Sequence, residues 1–265
     1  KRQDYMIRIK QILIGLFTLC FTLNLSAESV TNNADKAYRE KNFVKAANLY
    51  EEQIAQILAD KNQSEINSSN VYYNLGNCYF RMNNYGKAVL NYQRALRIDA
   101  ANEDAEFNLE LTQTKLTDHF EAPAEMFFIS WFKSLINSRN SDAWGHWGLF
   151  FLILTFTSIA IFRFGRKLWL RKAGFLCTII SILLLITCEC FAYIQHNRFN
   201  NLQLAVVLRP AVNTFDSPNL SAKKQKTIHE GTTVTIIGAY EKQWLEIQLP
   251  DGSEVWINTA DVERV

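Results

Sequence analysis

The sequence has almost no net charge. Its 28 lysines and arginines against 26 aspartates and glutamates leave +2 over 265 residues, which argues against nucleic acid as a partner, because that ligand demands a clustered basic surface. Groups that perform chemistry are also scarce. The four histidines, His119, His146, His196 and His229, stand in four different settings. No Ser/His/Asp or Cys/His arrangement, phosphate-binding glycine loop or carboxylate pair in a soluble stretch can be assembled. Of the five cysteines, Cys20, Cys177, Cys188 and Cys190 sit in apolar runs and only Cys78 outside them. That argues against a disulfide-stapled fold and leaves no spacing for zinc. Neither catalysis, a cofactor nor a metal is expected.

What the chain does have is contrast. Apolar runs near residues 11–25, 144–162 and 173–194 alternate with strongly polar stretches. Residues 1–27 read as a signal peptide: Lys1, Arg2, Arg8 and Lys10 form a positive start, an apolar run follows, and Ser26 and Ala27 supply small residues at a cleavage point. Leu25 is larger than the ideal three places before that point, so an uncleaved anchor stands as the alternative. Either way the residues after 27 are expected outside the cytoplasm.

From 28 to 117 the chain reads as stacked helices. Tyr72, Leu75, Gly76, Tyr79, Tyr85, Ala88, Tyr92 and Ala95 are spaced as two helices packed closely together. A helix-interior glycine costs about 1 kcal/mol relative to alanine, so Gly76 makes sense where a neighbouring helix approaches. The stretch Tyr72–Asp99 resembles a tetratricopeptide repeat, with Ala100 where the family's closing proline usually stands. Ala34, Tyr38, Phe43, Ala46, Ala47 and Tyr50 form a weaker earlier copy, and residues 105–116 look like the first helix of a third. Such units cannot bury their faces alone, so about three are needed. The resemblance implies a concave groove lined by Tyr38, Arg39, Tyr73, Asn74, Asn77, Phe80, Arg81 and Asn108 that binds protein. Tyr73 and Phe80 read equally as inter-repeat packing, and Arg39 and Arg81 as solvated charges.

Residues 118–142 carry a double stripe, Phe127/Phe128, Trp131/Phe132 and Leu135/Ile136, repeating every four residues. It suits an amphipathic helix in the headgroup region, with packing onto the repeats as the alternative. Residues 143–162 and 173–194 approach the roughly 20 residues that cross a bilayer core and must then be transmembrane helices. Between them, in 163–172, lie Arg163, Arg166, Lys167, Arg171 and Lys172 with no acid, so this loop is expected in the cytoplasm and both flanks outside. Glu189, the carboxylate within a span, is a functional candidate by default, although it lies close enough to the outward end to reach water. Cys188 and Cys190 beside it read as small apolar residues.

In residues 201–265 the period shifts to that of strands. Val234, Ile236, Leu245, Ile247, Val255 and Ile257 alternate with polar neighbours, and Pro250–Gly252 marks a turn. The run Gly231–Val234, Trp244–Ile247, Gly252 and Val255–Ile257 is similar to bacterial SH3-like domains, though a second glycine of their closing pattern is missing. That implies a β-barrel, with Tyr240, Trp244 and Trp256 as its contact aromatics or, for both tryptophans, its framework.

The expected architecture is therefore multidomain: an all-α tetratricopeptide-repeat module, two transmembrane helices and a C-terminal SH3-like β-barrel. In that order the parts resemble the E-type proteins of the Bacteroides aerotolerance (Bat) operons. The resemblance implies a bacterial inner-membrane scaffold with both folded modules on the periplasmic side. It would contact membrane lipid and bind membrane or periplasmic proteins through its groove in envelope stress or oxygen tolerance. Cell-wall polymer read through the SH3-like domain is the alternative.

Overall fold

The structure is a computed structural model describing residues 33–59, 65–120, 126–201 and 203–265. The expected signal peptide lies outside them. Helices α1 (Asn33–Arg39), α2 (Phe43–Ala59), α3 (Glu65–Arg81), α4 (Tyr85–Ile98) and α5 (Glu103–Gln113) form the repeat module. Two of its turns are copies of one another. Lys41 and Asn83 adopt φ near 60°, a left-handed conformation suited to the residue after a helix. Asn42 and Asn84 then cap α2 and α4, each accepting a main-chain N–H at 3.2 Å. No proline ends the second repeat. Asp99 instead accepts from Ala101 N at 3.1 Å, and Asn102 caps α5 through Ala105 N at 3.0 Å.

Helix α6 (Phe127–Asn137) carries the aromatic stripe, and α7 (Ser141–Phe164) and α8 (Leu168–Asn201) form an antiparallel hairpin. Both hairpin helices are long and apolar enough to cross a membrane, and only 17% of each most apolar window is buried, unlike a helix in a soluble core. At 1.5 Å per residue the 24 residues of α7 span about 36 Å and the 34 of α8 about 51 Å. The helices run further than the apolar segments. Arg163 lies in the last turn of α7, Arg171 and Lys172 lie within α8, and the expected ten-residue loop shrinks to residues 165–167. Arginine and lysine end an apolar stretch but are good helix formers, so polarity marks the limit of the apolar segment and not of the helix. Thr155 Oγ1 donates to Ser181 Oγ at 2.9 Å between the two helices, and Gly174 lets α7 approach closely.

Seven strands follow: β1 (Leu204–Val207), β2 (Ala211–Phe215), β3 (Lys224–His229), β4 (Thr233–Tyr240), β5 (Trp244–Gln248), β6 (Glu254–Asn258) and β7 (Val262–Arg264). They form one antiparallel sheet in the order β3-β2-β6-β5-β4-β1-β7. This is an open sheet, in place of the closed barrel expected. Its β7 edge is covered by the repeat module. Arg94 donates to Glu263 Oε1 at 2.8 Å and to the Arg264 carbonyl at 2.9 Å, and Arg97 donates to the main-chain oxygen of Val265. Covering an edge strand removes the demand for another strand to pair with it.

The sheet and the repeats share a core. Val206 and Val265 pack in one cluster with Val89, Leu90 and Tyr92 of α4. Val89 and Leu90 are 0% and 2% exposed, a burial of roughly 1.5–3 kcal/mol each. Leu116 packs on Gly231, whose φ of 85° suits glycine alone. Asp118 accepts from His229 N at 2.6 Å and Thr232 Oγ1 at 2.8 Å, and pairs with His229 Nδ1 at 2.8 Å.

Candidate functional site

Because α4 takes the sheet on its outer side, the face of the stack carried by the first helices of the repeats, α1, α3 and α5, stays open. Polar and aromatic side chains are held there by repeated geometry. Tyr92 donates to Asn77 Oδ1 at 2.7 Å, and Tyr50, 42 positions earlier, donates to Asp35 Oδ1 at 2.5 Å. In each repeat the second helix thus sends a tyrosine through to the first. Asn108 of α5 extends the network, donating to Asn77 Oδ1 at 2.8 Å and to the Tyr73 hydroxyl at 3.3 Å. Burial pushes the phenols of Tyr50 and Tyr92 above the ordinary tyrosine value, and for Tyr50 the Asp35 carboxylate adds to the effect. Both stay neutral donors.

The predicted groove residues divide by environment. Tyr73, Asn77 and Asn108 are brought together in the network, where each is half-buried. Tyr38 lies edge-on to Phe43 at 5.3 Å and Phe80 packs on Tyr85 at 5.8 Å, the same pair one repeat on. Arg81 lies over the Phe43 ring at 5.2 Å, so it ties one repeat to the next. Asn74 is half-buried with no side-chain hydrogen bond among the described residues, and Arg39 is exposed. Cys78 sits behind this face, fully buried, and burial pushes its thiol up to about 12. Such a thiol is inert.

On the sheet, Trp244 is only 6% exposed and lies edge-on to Phe215 at 5.5 Å. It presents little surface to a ligand, the environment that the framework alternative calls for. Trp256 is half-buried opposite Phe215, and Tyr240 is 48% exposed.

Helix α6 keeps its aromatic face outward: Phe127, Phe128 and Trp131 are 75%, 77% and 56% exposed. Its polar side, with Ser130 and Ser134, faces Ala100 and Glu103 of the repeats across a cleft. The helix is fastened to the hairpin. Phe132 and Trp144 both meet Phe191 edge-on, at 5.7 and 5.0 Å. Trp144 Nε1 and Gln195 Nε2 donate to the Ile136 carbonyl at 3.0 and 2.9 Å. Glu189, beside Gly148 of α7, is two residues from Phe191, or about 3 Å of helix rise, so it lies close to the level of α6.

Sequence reasoning missed Arg94, Arg97 and Asp118, which join the modules, and Phe107 and Leu111 on α5, which are 65% and 39% exposed. One local signal for the junction existed: Val89 and Leu90 follow Ala88 on a helix whose packing onto α3 uses other positions.

Compared with protein families, residues 69–102 match the tetratricopeptide repeat. This span of one repeat covers most of α3, all of α4 and the turn into α5. Among curated proteins, none matches the chain. Tetratricopeptide repeats are in general protein-interaction scaffolds and not catalysts, and that reading applies to this stretch.

Proposed function

We propose that this chain is a membrane-anchored, non-catalytic scaffold whose repeat module binds protein partners on the outer side of a bacterial inner membrane. The observation that carries the reading is the division of the module's two faces: the sheet covers the outer side of α4, and the α1–α3–α5 face presents Asn74, Arg39 and the Tyr73–Asn108–Asn77 network to solvent. Hairpin α7–α8 is the anchor. Its basic turn, Arg163 to Lys172, lies in the cytoplasm by the positive-inside rule, and α6 lies in the headgroup layer with its aromatic face toward lipid. The sheet is SH3-like and positions the assembly. A role in an aerotolerance or envelope-stress complex follows from the whole-chain resemblance alone. Reading of cell-wall polymer by the sheet is the weaker alternative, since of its three aromatics Trp244 is enclosed and Trp256 half so.

Two experiments test this. A photo-crosslinking amino acid at Asn74 in native membranes is expected to yield a defined protein adduct that Arg81→Glu and Asn77→Ala diminish. Adducts confined to lipid or polymer refute the reading. For topology, a membrane-impermeant thiol reagent on whole cells is expected to label Ser253→Cys and to spare Leu168→Cys, both on a background without native cysteines. The reverse pattern refutes the anchoring scheme.

A further inference from the structure

Helix α5 closes the repeat stack, and the buried side chains on its packed face are Ala105, Leu109 and Thr112. A terminal helix of this kind is expected to turn a polar side to water. This one does not. Phe107 and Leu111, one turn apart, are 65% and 39% exposed. Beside them Glu103, Asp104, Glu106 and Glu110 are all exposed, and the helix carries no basic residue. The first three acids lie in the opening turn, where the helix dipole favours them. Glu110 lies beyond it, and no dipole effect accounts for a bare phenylalanine and leucine.

The surface continues past the helix. Glu103 is four residues before Phe107 and so on the same side of α5. With Glu106 it lines a cleft of about 380 Å³ whose opposite wall is the polar side of α6, Ser130, Lys133, Ser134 and Asn137. An apolar pair, an acidic flank and an inter-helix cleft thus form one run of surface.

We propose that this surface docks a basic amphipathic helix from a protein partner. Its apolar side chains, spaced one turn apart, would seat on Phe107 and Leu111, and its lysines or arginines would face Glu103, Glu106 and Glu110. Anchors at i and i+4 match the helix-in-groove mode of recognition. The four carboxylates of α5 outnumber the one ammonium of Lys133 across the cleft, so the flank is net acidic and favours a basic partner over an acidic one. The proposal rests on the scaffold reading and narrows it to one class of partner.

The test uses the full chain in phosphatidylcholine nanodiscs. The probe is a fluorescent 18-residue helical peptide with leucines four apart on one face and lysines beside them. Its twin carries glutamate for every lysine, and empty nanodiscs give the background. Fluorescence anisotropy is expected to show saturable binding of the lysine peptide above background. Phe107→Ser with Leu111→Ser is expected to weaken it at least ten-fold, and so is Glu106→Lys with Glu110→Lys. All four positions are exposed, and circular dichroism verifies that each variant keeps its helices. Lys45→Ala, exposed on α2, is expected to leave the affinity within two-fold. Equal binding of the glutamate twin, no binding above empty discs, or pad variants that bind as the parent does would each overturn the inference. None of those outcomes bears on the crosslinking test at Asn74, so the two readings fail separately.

Discussion

Gly76 lies directly beneath the ring of Tyr92: a methyl group added at Gly76 would come within 2.6 Å of Cε1 and 2.7 Å of Cδ1. Tyr92 is 1% exposed and its hydroxyl is held by Asn77, so the ring has nowhere to retreat. Overpacking of this kind costs about 1–3 kcal/mol, against about 1 kcal/mol gained from alanine's better helix propensity. Gly76→Ala is therefore expected to destabilise the repeat module by roughly 1 kcal/mol net. Chemical denaturation of the full chain in discs checks it, and a more stable variant would show that the two helices have room to spare.

The two tyrosine contacts provide a matched pair. Tyr92→Phe removes a bond to a neutral amide, and Tyr50→Phe removes one to a carboxylate. Net costs of about 1 and about 1.5–3 kcal/mol are expected, since bonds to charged groups are the stronger. The same denaturation series measures both. Equal losses would mean that Asp35 gains as much from water as from Tyr50.

The junction at β7 is predicted to loosen without unfolding the chain. The side chains of Arg94 and Glu263 are 26% and 48% exposed, and pairs that open to solvent contribute only about 0–1 kcal/mol. The double variant Arg94→Ala, Arg97→Ala is expected to speed hydrogen exchange at residues 262–265 while leaving α3 and β5 protected. Unchanged exchange at the last strand would assign its attachment to Val206 and Val265 alone.

Asp118 introduces a dependence on pH. Burial works to raise its carboxyl, but bonds from the His229 ring and main chain and from Thr232 outweigh that and hold it below the ordinary aspartate value. A carboxyl depressed on folding contributes stability that is present above its unfolded value, about 3.9, and lost as pH falls through the folded value. Acid below about pH 3.9 is therefore expected to weaken progressively the hold of the sheet on residues 114–120. Asp118→Asn should flatten that part of the profile and should be less stable than the parent at neutral pH. A parent and variant with parallel profiles would contradict this.

How much of this could be read beforehand depended on how local the cause was. The second repeat was legible because Tyr72, Gly76, Ala88 and Tyr92 record the contact of two adjacent helices. The apolar helices were legible from composition, though not their ends, because Arg163, Arg171 and Lys172 continue a helix as readily as they terminate a span. Strands β4 to β6 announced themselves by alternation. Strand β3 did not, since of Lys224–His229 only Ile228 is fully buried and the edge position fills the rest with polar side chains. The clamp was out of reach in principle. Arg97 and its partner stand 168 residues apart, and nothing near either one anticipates the other. Among groove residues, Asn77 and Asn108 could be named from their positions, but their mutual bond required knowing how α5 sits on α3.

Because Val89 and Leu90 are sealed by Val206 and Val265, dissecting this protein at its apparent boundaries changes what is being studied. A fragment ending near residue 117 would turn two bare aliphatic side chains toward water, an invitation to self-association. Adhesion seen with such a fragment would report the cut and not the biology.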